Sequence, residues 1–146
     1  MSSAEAAGLL AHVAATVAMT GLIWFVQLVH YPLFARVGVV DFVAYEREHV
    51  RRTGRLVGPL MILEAMSAPV LILAAQAATL AAWGSVSLLA LVWLVTLTMQ
   101  VPLHRRLGTG WDDDAGRRLV ATNWIRTLAW TGRSALVLVV LATRLR

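Results

Sequence analysis

Residues 45–49, YEREH, place a carboxylate and an imidazole three positions apart, at Glu46 and His49. On a helix, side chains with this spacing lie on the same face. In ferritin-like helical bundles, Glu-x-x-His motifs of this kind surround a pair of metal ions, and each pair needs two such motifs. This sequence contains a single Glu-x-x-His motif. The pattern therefore favours a site for one metal ion over a carboxylate-bridged pair.

Two further imidazoles, His30 and His104, lie at the ends of the first and third long apolar segments. If these segments cross a membrane, both imidazoles lie on the same side of it as Glu46 and His49. Imidazole and carboxylate ligands bind iron, manganese or zinc, and two histidines with one carboxylate leave positions open for oxygen at a single iron. The sequence predicts a transition-metal site formed by these four residues. The alternative for Glu46 and His49 is a solvated helix face with arginine partners.

The composition indicates which elements must position these residues. Hydrophobic residues make up 59% of the 146-residue chain and charged residues only 14%, against about 25% charged residues in a soluble domain. There is no cysteine, which excludes disulfides and thiolate metal sites. All 13 basic residues are arginines, and they do not gather into one tract with aromatic residues, so we expect no nucleic-acid partner.

Four apolar segments are long enough to cross a lipid bilayer, which takes about 20 helical residues. We therefore predict an all-α, polytopic membrane protein with one domain, 1–146, built as a four-helix transmembrane bundle. The first connection, residues 33–55, mixes apolar and charged residues, which is typical of an amphipathic helix at the interface or one leading into the second span. Prolines near the boundaries support these limits. The predicted spans are residues 6–29, 57–80, 83–103 and 119–143.

Arginine placement predicts the orientation. The first and third connections carry most of the arginines, and the second connection and the N-terminus carry none; Arg144 and Arg146 are the exceptions. Because cytoplasmic loops are enriched in basic residues, both arginine-rich connections should face the cytoplasm. We expect a bacterial-type plasma membrane, with the lipid bilayer as the main partner and both termini outside.

Several polar residues fall inside the predicted spans, where an ionisable group at the centre costs about 2.5–3.5 kcal/mol. Glu64 lies in the second span, and Gln100 and His104 share a face of the third. The fourth span presents Asn123, Arg126, Trp130 and Arg133 on one face. We expect these groups to form a polar pocket that opens on the cytoplasmic side. For Glu64 itself we favour an ion pair with Arg126 or Arg133, since a pair is the least costly way to keep its charge inside a span.

The run LVATNWIRTLAWTGR, together with the length and the four spans, resembles the small four-helix membrane proteins related to anthrone oxygenases. The matching residues are Asn123, Arg126, Trp130 and Arg133. The resemblance implies oxidation of a hydrophobic, aromatic or quinone-like substrate in a membrane pocket.

A second likeness is to the haem-binding, four-helix protoporphyrinogen oxidases of bacterial membranes. The likeness rests on the similar chain length and on the stretch from Phe42 to Met61, which places charged residues before a proline-containing second span. That family relies on a histidine in its first span and on a lysine, and this chain has no lysine. His30 and His104 would be the axial ligands if haem were bound. We therefore place iron or another transition metal ahead of haem as the cofactor.

These observations favour a membrane oxidoreductase that acts on a hydrophobic small molecule. Glu64 would be a ligand or proton acceptor, and Arg126 and Arg133 would orient an anionic or carbonyl group of the substrate. The cofactor site would be completed by Gln100, Asn123 and Trp130. Three alternatives stay open: a small proton-coupled transporter working as a homo-oligomer, a haem-binding protein, and a non-catalytic membrane subunit whose polar groups only join helices.

Overall fold

The computed structural model describes residues 2–75 and 78–145, and in these ranges the chain forms four long helices and no strand. The prediction of an all-α four-helix bundle is confirmed. Residues 76 and 77, which the predicted second span includes, and Arg146 lie outside the described residues. The helices are Ser3–Arg36 (α1), Phe42–Ala74 (α2), Thr79–Leu107 (α3) and Asp113–Arg144 (α4).

Each helix is long and apolar enough to cross a membrane. Large apolar side chains cover the outside of the bundle; Leu80, for example, is 90% exposed and Met66 is 75% exposed. Such a surface is suited to lipid and not to water. The chain is therefore a multi-pass membrane protein. We call the end of the bundle that carries the connections 37–41 and 108–112 the loop side.

The packing of the helices leaves a gap on the loop side. α1 packs against both α2 and α4, and α3 packs along α4, whereas α2 and α3 make the weakest contact of the four neighbouring pairs. Phe34, Phe42 and Trp130 are buried in one apolar cluster, and Leu71 and Val137 are buried in a second one. The weak contact between α2 and α3 allows a cavity to form between them, as described below.

α1 and α3 extend beyond the prolines that we expected to mark their ends. Each contains a five-residue π-helical turn, Val26–His30 in α1 and Thr96–Gln100 in α3. In α1 the Tyr31 N–H donates to the carbonyl oxygen of Val26, five positions back. This wider turn accommodates Pro32, which lacks an N–H and whose ring would crowd a regular α-helix. The helix therefore continues past the proline and carries His30 and Tyr31 inward.

The structure also shows where the amphipathic segment of the first connection lies. Residues from Phe42 onward form the first turns of α2 itself, so the segment leads directly into the second span. Two prolines, Pro59 and Pro69, lie inside the same continuous helix.

α4 begins at an N-cap. The Asp112 side chain accepts a hydrogen bond from the Ala115 N–H at 3.0 Å, which satisfies one of the free amide groups of the first turn. This bond, with a further contribution from Arg106, holds the pKa of the Asp112 carboxyl below its usual value of 3.8. Arg106, near the end of α3, forms an ion pair with Asp112 at 2.6 Å. The cap therefore joins the loop-side ends of α3 and α4.

Candidate functional site

Three of the four predicted metal ligands meet on the loop side of the bundle. Glu46 and His49 come from α2 and His104 comes from α3, and one ligand atom from each lies within 4.8 Å of the other two. The Nδ1 atom of His104 is 2.6 Å from the Oε1 atom of Glu46. Glu46 and His49 are buried and His104 is partly buried. The three residues form what we call the Glu–His–His group.

The fourth predicted ligand, His30, lies next to this group. Its Nε2 atom is 2.8 Å from Nδ1 of His49, and the Thr53 hydroxyl is 3.1 Å from the same Nδ1 atom. The Nε2 atom of His49 makes no hydrogen bond within the part of the chain that the structure describes. Histidine ligands of metals usually have their second ring nitrogen held by such a bond. His30 is therefore placed to orient His49 through Nδ1 and to leave Nε2 available.

Tyr31 is a member of the site that the sequence analysis missed. Its buried hydroxyl is 2.9 Å from Nε2 of His104. Consecutive residues of a regular α-helix point about 100° apart, so His30 gave no indication that Tyr31 would face the same site. The π-helical turn before Tyr31 has no simple sequence signature. The neighbouring Phe34 ring lies 5.0 Å from the His49 ring and supplies an apolar wall.

The donor atoms of this group are suited to a metal ion. The Oε2 atom of Glu46 is buried and has no hydrogen-bond partner among the described residues. A buried carboxylate oxygen without a partner is costly, and a divalent cation would offset that cost. Two donor atoms, Oε2 of Glu46 and Nε2 of His49, make no hydrogen bond to the described residues and could bind a metal directly. Both ring nitrogens of His104 make hydrogen bonds, so His104 would give up one of them to bind the metal. Two imidazoles with one carboxylate fit iron, manganese or zinc.

A cavity of about 700 Å³ adjoins the Glu–His–His group, and all three residues line it. It lies between the loop-side halves of α2 and α3, the neighbouring helices in weakest contact. Small-molecule sites generally measure about 300–1,000 Å³ and are mostly apolar with a few polar groups. This cavity follows that pattern. Its apolar lining includes Val50, Val57, Met61, Ile62 and Val101.

Two predicted site residues, Gln100 and Arg126, also line the cavity. Gln100 donates from Nε2 to the Thr122 hydroxyl at 2.9 Å. Arg126 donates from Nη1 to Oδ1 of Asn123 at 3.1 Å, and its guanidinium lies 5.2 Å from the centre of the Trp130 ring. The structure thus brings both residues to the same cavity as the Glu–His–His group.

Asn123 and Trp130 are placed differently, outside the described lining of the cavity. Asn123 donates from Nδ2 to Oε1 of Gln27 at 2.9 Å and so joins α4 to α1. Trp130 donates from Nε1 to Oε2 of Glu64 at 3.1 Å. Their contacts in the structure are with neighbouring helices.

The expectation that Glu64 would meet the imidazoles is wrong. Glu64 follows His49 by 15 positions on the same continuous helix, α2, which separates them by about 22 Å along the axis. Its carboxylate forms a fully buried ion pair with Nη1 of Arg133, and the Arg133 Nε donates to the Ser85 carbonyl at 3.2 Å. The prediction that Glu64 forms an ion pair with Arg126 or Arg133 is confirmed for Arg133. The structure therefore separates a Glu64–Arg133 layer from the Glu–His–His group.

Comparisons with known proteins add no relationship to this geometry. No family model, curated protein or solved structure matches the chain. Its function must be inferred from its own residues.

Proposed function

We propose that this chain is an integral-membrane, metal-dependent oxidoreductase that acts on a hydrophobic substrate. Glu46, His49 and His104 would bind one transition-metal ion, with iron the first candidate. The observation that carries this proposal is that these three donors, two buried and one partly buried, converge on the wall of a largely apolar cavity. A metal with two imidazoles and one carboxylate keeps coordination positions open, and bound iron would supply redox chemistry with dioxygen.

The surrounding residues support such a site in distinct ways. His30 orients His49 by the bond between their ring nitrogens, and the Tyr31 hydroxyl orients His104 through its Nε2 atom. Apolar side chains keep water away from the site. Ile62 lines the cavity and is 56% exposed, so the cavity opens at the surface of the bundle between α2 and α3. A lipophilic substrate would enter there from the bilayer.

The resemblance of residues 119–133 to the anthrone-oxygenase-related proteins is part of this proposal. It favours an aromatic or quinone-like substrate. The location in a bacterial-type plasma membrane, with the loop side in the cytoplasm, is proposed from the arginine distribution.

Metal analysis of the detergent-purified protein tests the proposal. We expect about one iron or other transition-metal ion per chain, lost in Glu46→Gln, His49→Ala and His104→Ala, since loss of a ligand removes the site. Glu48→Gln is the matched control, because Glu48 is exposed and pairs with Arg51 and Arg52 on the same helix. The metal-loaded protein, and not the ligand variants, should consume dioxygen with a lipophilic hydroquinone as probe.

Two results would contradict the proposal. One is a protein that takes up no transition metal, or that keeps it equally in Glu46→Gln and Glu48→Gln. The other is a Soret band in the absorption spectrum of the purified protein, which would assign the histidines to haem.

A further inference from the structure

Arg126 is a buried cation whose counterion is missing from the described part of the chain. It is 6% exposed, and its polar contacts are the Asn123 amide oxygen, the Tyr31 hydroxyl and the Trp130 ring. Its Nε atom is buried and has no hydrogen-bond partner among the described residues. Arg133, which is also buried, pairs with Glu64. Within residues 2–75 and 78–145, no carboxylate forms a salt bridge with Arg126.

An isolated buried guanidinium is unfavourable inside a membrane protein. Deprotonation does not relieve the cost, because arginine keeps its charge under all ordinary conditions. The hydrogen bond to Asn123 and the Trp130 ring offset part of the cost. An anion close to the guanidinium would offset the rest. Since Arg126 lines the cavity between α2 and α3, an anion from outside the chain would reach it through that cavity.

Two more unsatisfied polar groups line the same cavity. The Nε1 donor of Trp93 and the Oε1 acceptor of Gln100 are buried and have no partner among the described residues. The guanidinium and the indole would donate to an anionic head group, and Gln100 would accept from a hydroxyl next to it. The remaining lining is mostly apolar and is suited to a hydrocarbon or aromatic body.

We infer that the cavity binds an amphiphilic organic acid, with its carboxylate at Arg126 and Trp93 and its apolar body between α2 and α3. The inference rests on the proposed function, because this acid would be the substrate class of the same site. Arg126 lies seven positions, about 10 Å, inside the predicted fourth span, which begins at Leu119. That depth favours a free acid over the head group of a bilayer phospholipid, which stays at the membrane surface.

Binding can be measured with a brominated dodecanoate, because bromine quenches tryptophan fluorescence at short range. Trp93 lines the cavity, and the Trp130 ring lies against the Arg126 guanidinium. The protein is held in neutral maltoside micelles with EDTA. We expect saturable quenching that dodecanoate reverses and dodecanol does not. Arg126→Gln should weaken binding by at least about tenfold, as expected when a charge-assisted hydrogen bond is lost. Arg36→Gln removes the same charge from an exposed position and should bind as the wild type does.

If Arg126→Gln fails to fold, Arg126→Lys and Trp93→Phe provide the test through the thermal shift that dodecanoate produces. Arg126→Lys should keep part of the shift, and Trp93→Phe should reduce it. The inference is overturned if dodecanol competes as well as dodecanoate, or if Arg126→Gln and Arg36→Gln bind equally. Competition by phosphatidylglycerol but not by dodecanoate would overturn it in favour of a lipid head group.

The use of EDTA separates this inference from the proposed function. Carboxylate binding to metal-free protein supports the acid site even if the Glu–His–His group binds no metal. If the protein binds metal but no carboxylate, the proposed metal site stands and the inferred acid site is overturned.

Discussion

At the scale of single residues, the buried arginines Arg126 and Arg133 show what spacing alone leaves open. They are seven positions apart and lie on the same face of α4, so the sequence offered Glu64 two equivalent partners. The structure pairs Glu64 with Arg133 and leaves Arg126 in the cavity. Which arginine pairs with Glu64 depends on how far α2 and α4 are shifted along their axes relative to each other. The spacing of residues within one helix does not predict that shift.

The Glu64–Arg133 pair gives a stability prediction. Glu64→Gln should lower the free energy of unfolding by about 3–5 kcal/mol, because it leaves the buried Arg133 uncompensated. The double variant Glu64→Gln/Arg133→Met removes both charges and should be more stable than Glu64→Gln. Denaturant unfolding in detergent measures both effects.

Metal content serves as the control for these variants. It should match the wild type in each folded protein, since Glu64 is about 22 Å from His49. A double variant that is less stable than Glu64→Gln would show that the uncompensated charge of Arg133 is not the cause of the lower stability of Glu64→Gln.

At the scale of elements, the helices were predictable and their ends were not. Apolar length identified all of the spans, because a lipid environment requires about 20 such residues. Pro32 and Pro102 nevertheless lie inside helices, since the π-helical turns before them accommodate the proline rings. The same turn in α1 directs both His30 and Tyr31 toward the site. Sequence periodicity assumes a regular α-helix, so it found His30 and missed Tyr31.

The π-helical turn of α1 can be tested by deletion. Leu28 lies within it and is 59% exposed, so removing this residue shortens the turn with little loss of packing. The shortened turn becomes a regular α-helical turn, in which the ring of Pro32 would clash with a carbonyl oxygen of the preceding turn and kink the helix. The kink would displace His30 and Tyr31 from the site. We expect metal affinity to fall by about 10–100-fold, as when the hydrogen-bond partners of metal ligands are lost.

Circular dichroism should show that this deletion variant keeps its helical content. Leu28→Ala is the matched control and should bind metal normally. Unchanged metal affinity in the deletion variant would show that the turn does not position the site.

At the scale of the whole molecule, the Glu–His–His group and the cavity lie on the side that carries the arginine-rich connections. The sequence indicated this arrangement because His30, Glu46, His49 and His104 all follow or precede spans at that side. It did not indicate the cavity, which results from the weak contact between α2 and α3. Nor did it single out Trp93, which reads as one more aromatic residue in an apolar span.

The orientation of the bundle can be tested directly, because the chain has no cysteine. Single cysteines at Ser3→Cys and Gly38→Cys replace exposed residues at opposite ends of α1. In intact cells, a membrane-impermeant maleimide should label Ser3→Cys and should label Gly38→Cys only after the cells are permeabilised. The opposite pattern would place the loop side outside.

X-ray absorption at the metal edge tests the metal site most directly. Protein loaded with one equivalent of zinc should show about two imidazole nitrogen ligands at roughly 2.0–2.1 Å, with oxygen completing the shell. In His49→Ala, which should no longer hold the metal in the site, the two-imidazole shell should disappear, while Glu48→Gln should leave the spectrum unchanged. A shell of oxygen ligands without imidazole, or an identical spectrum in His49→Ala, would contradict the assignment of Glu46, His49 and His104 as the metal ligands.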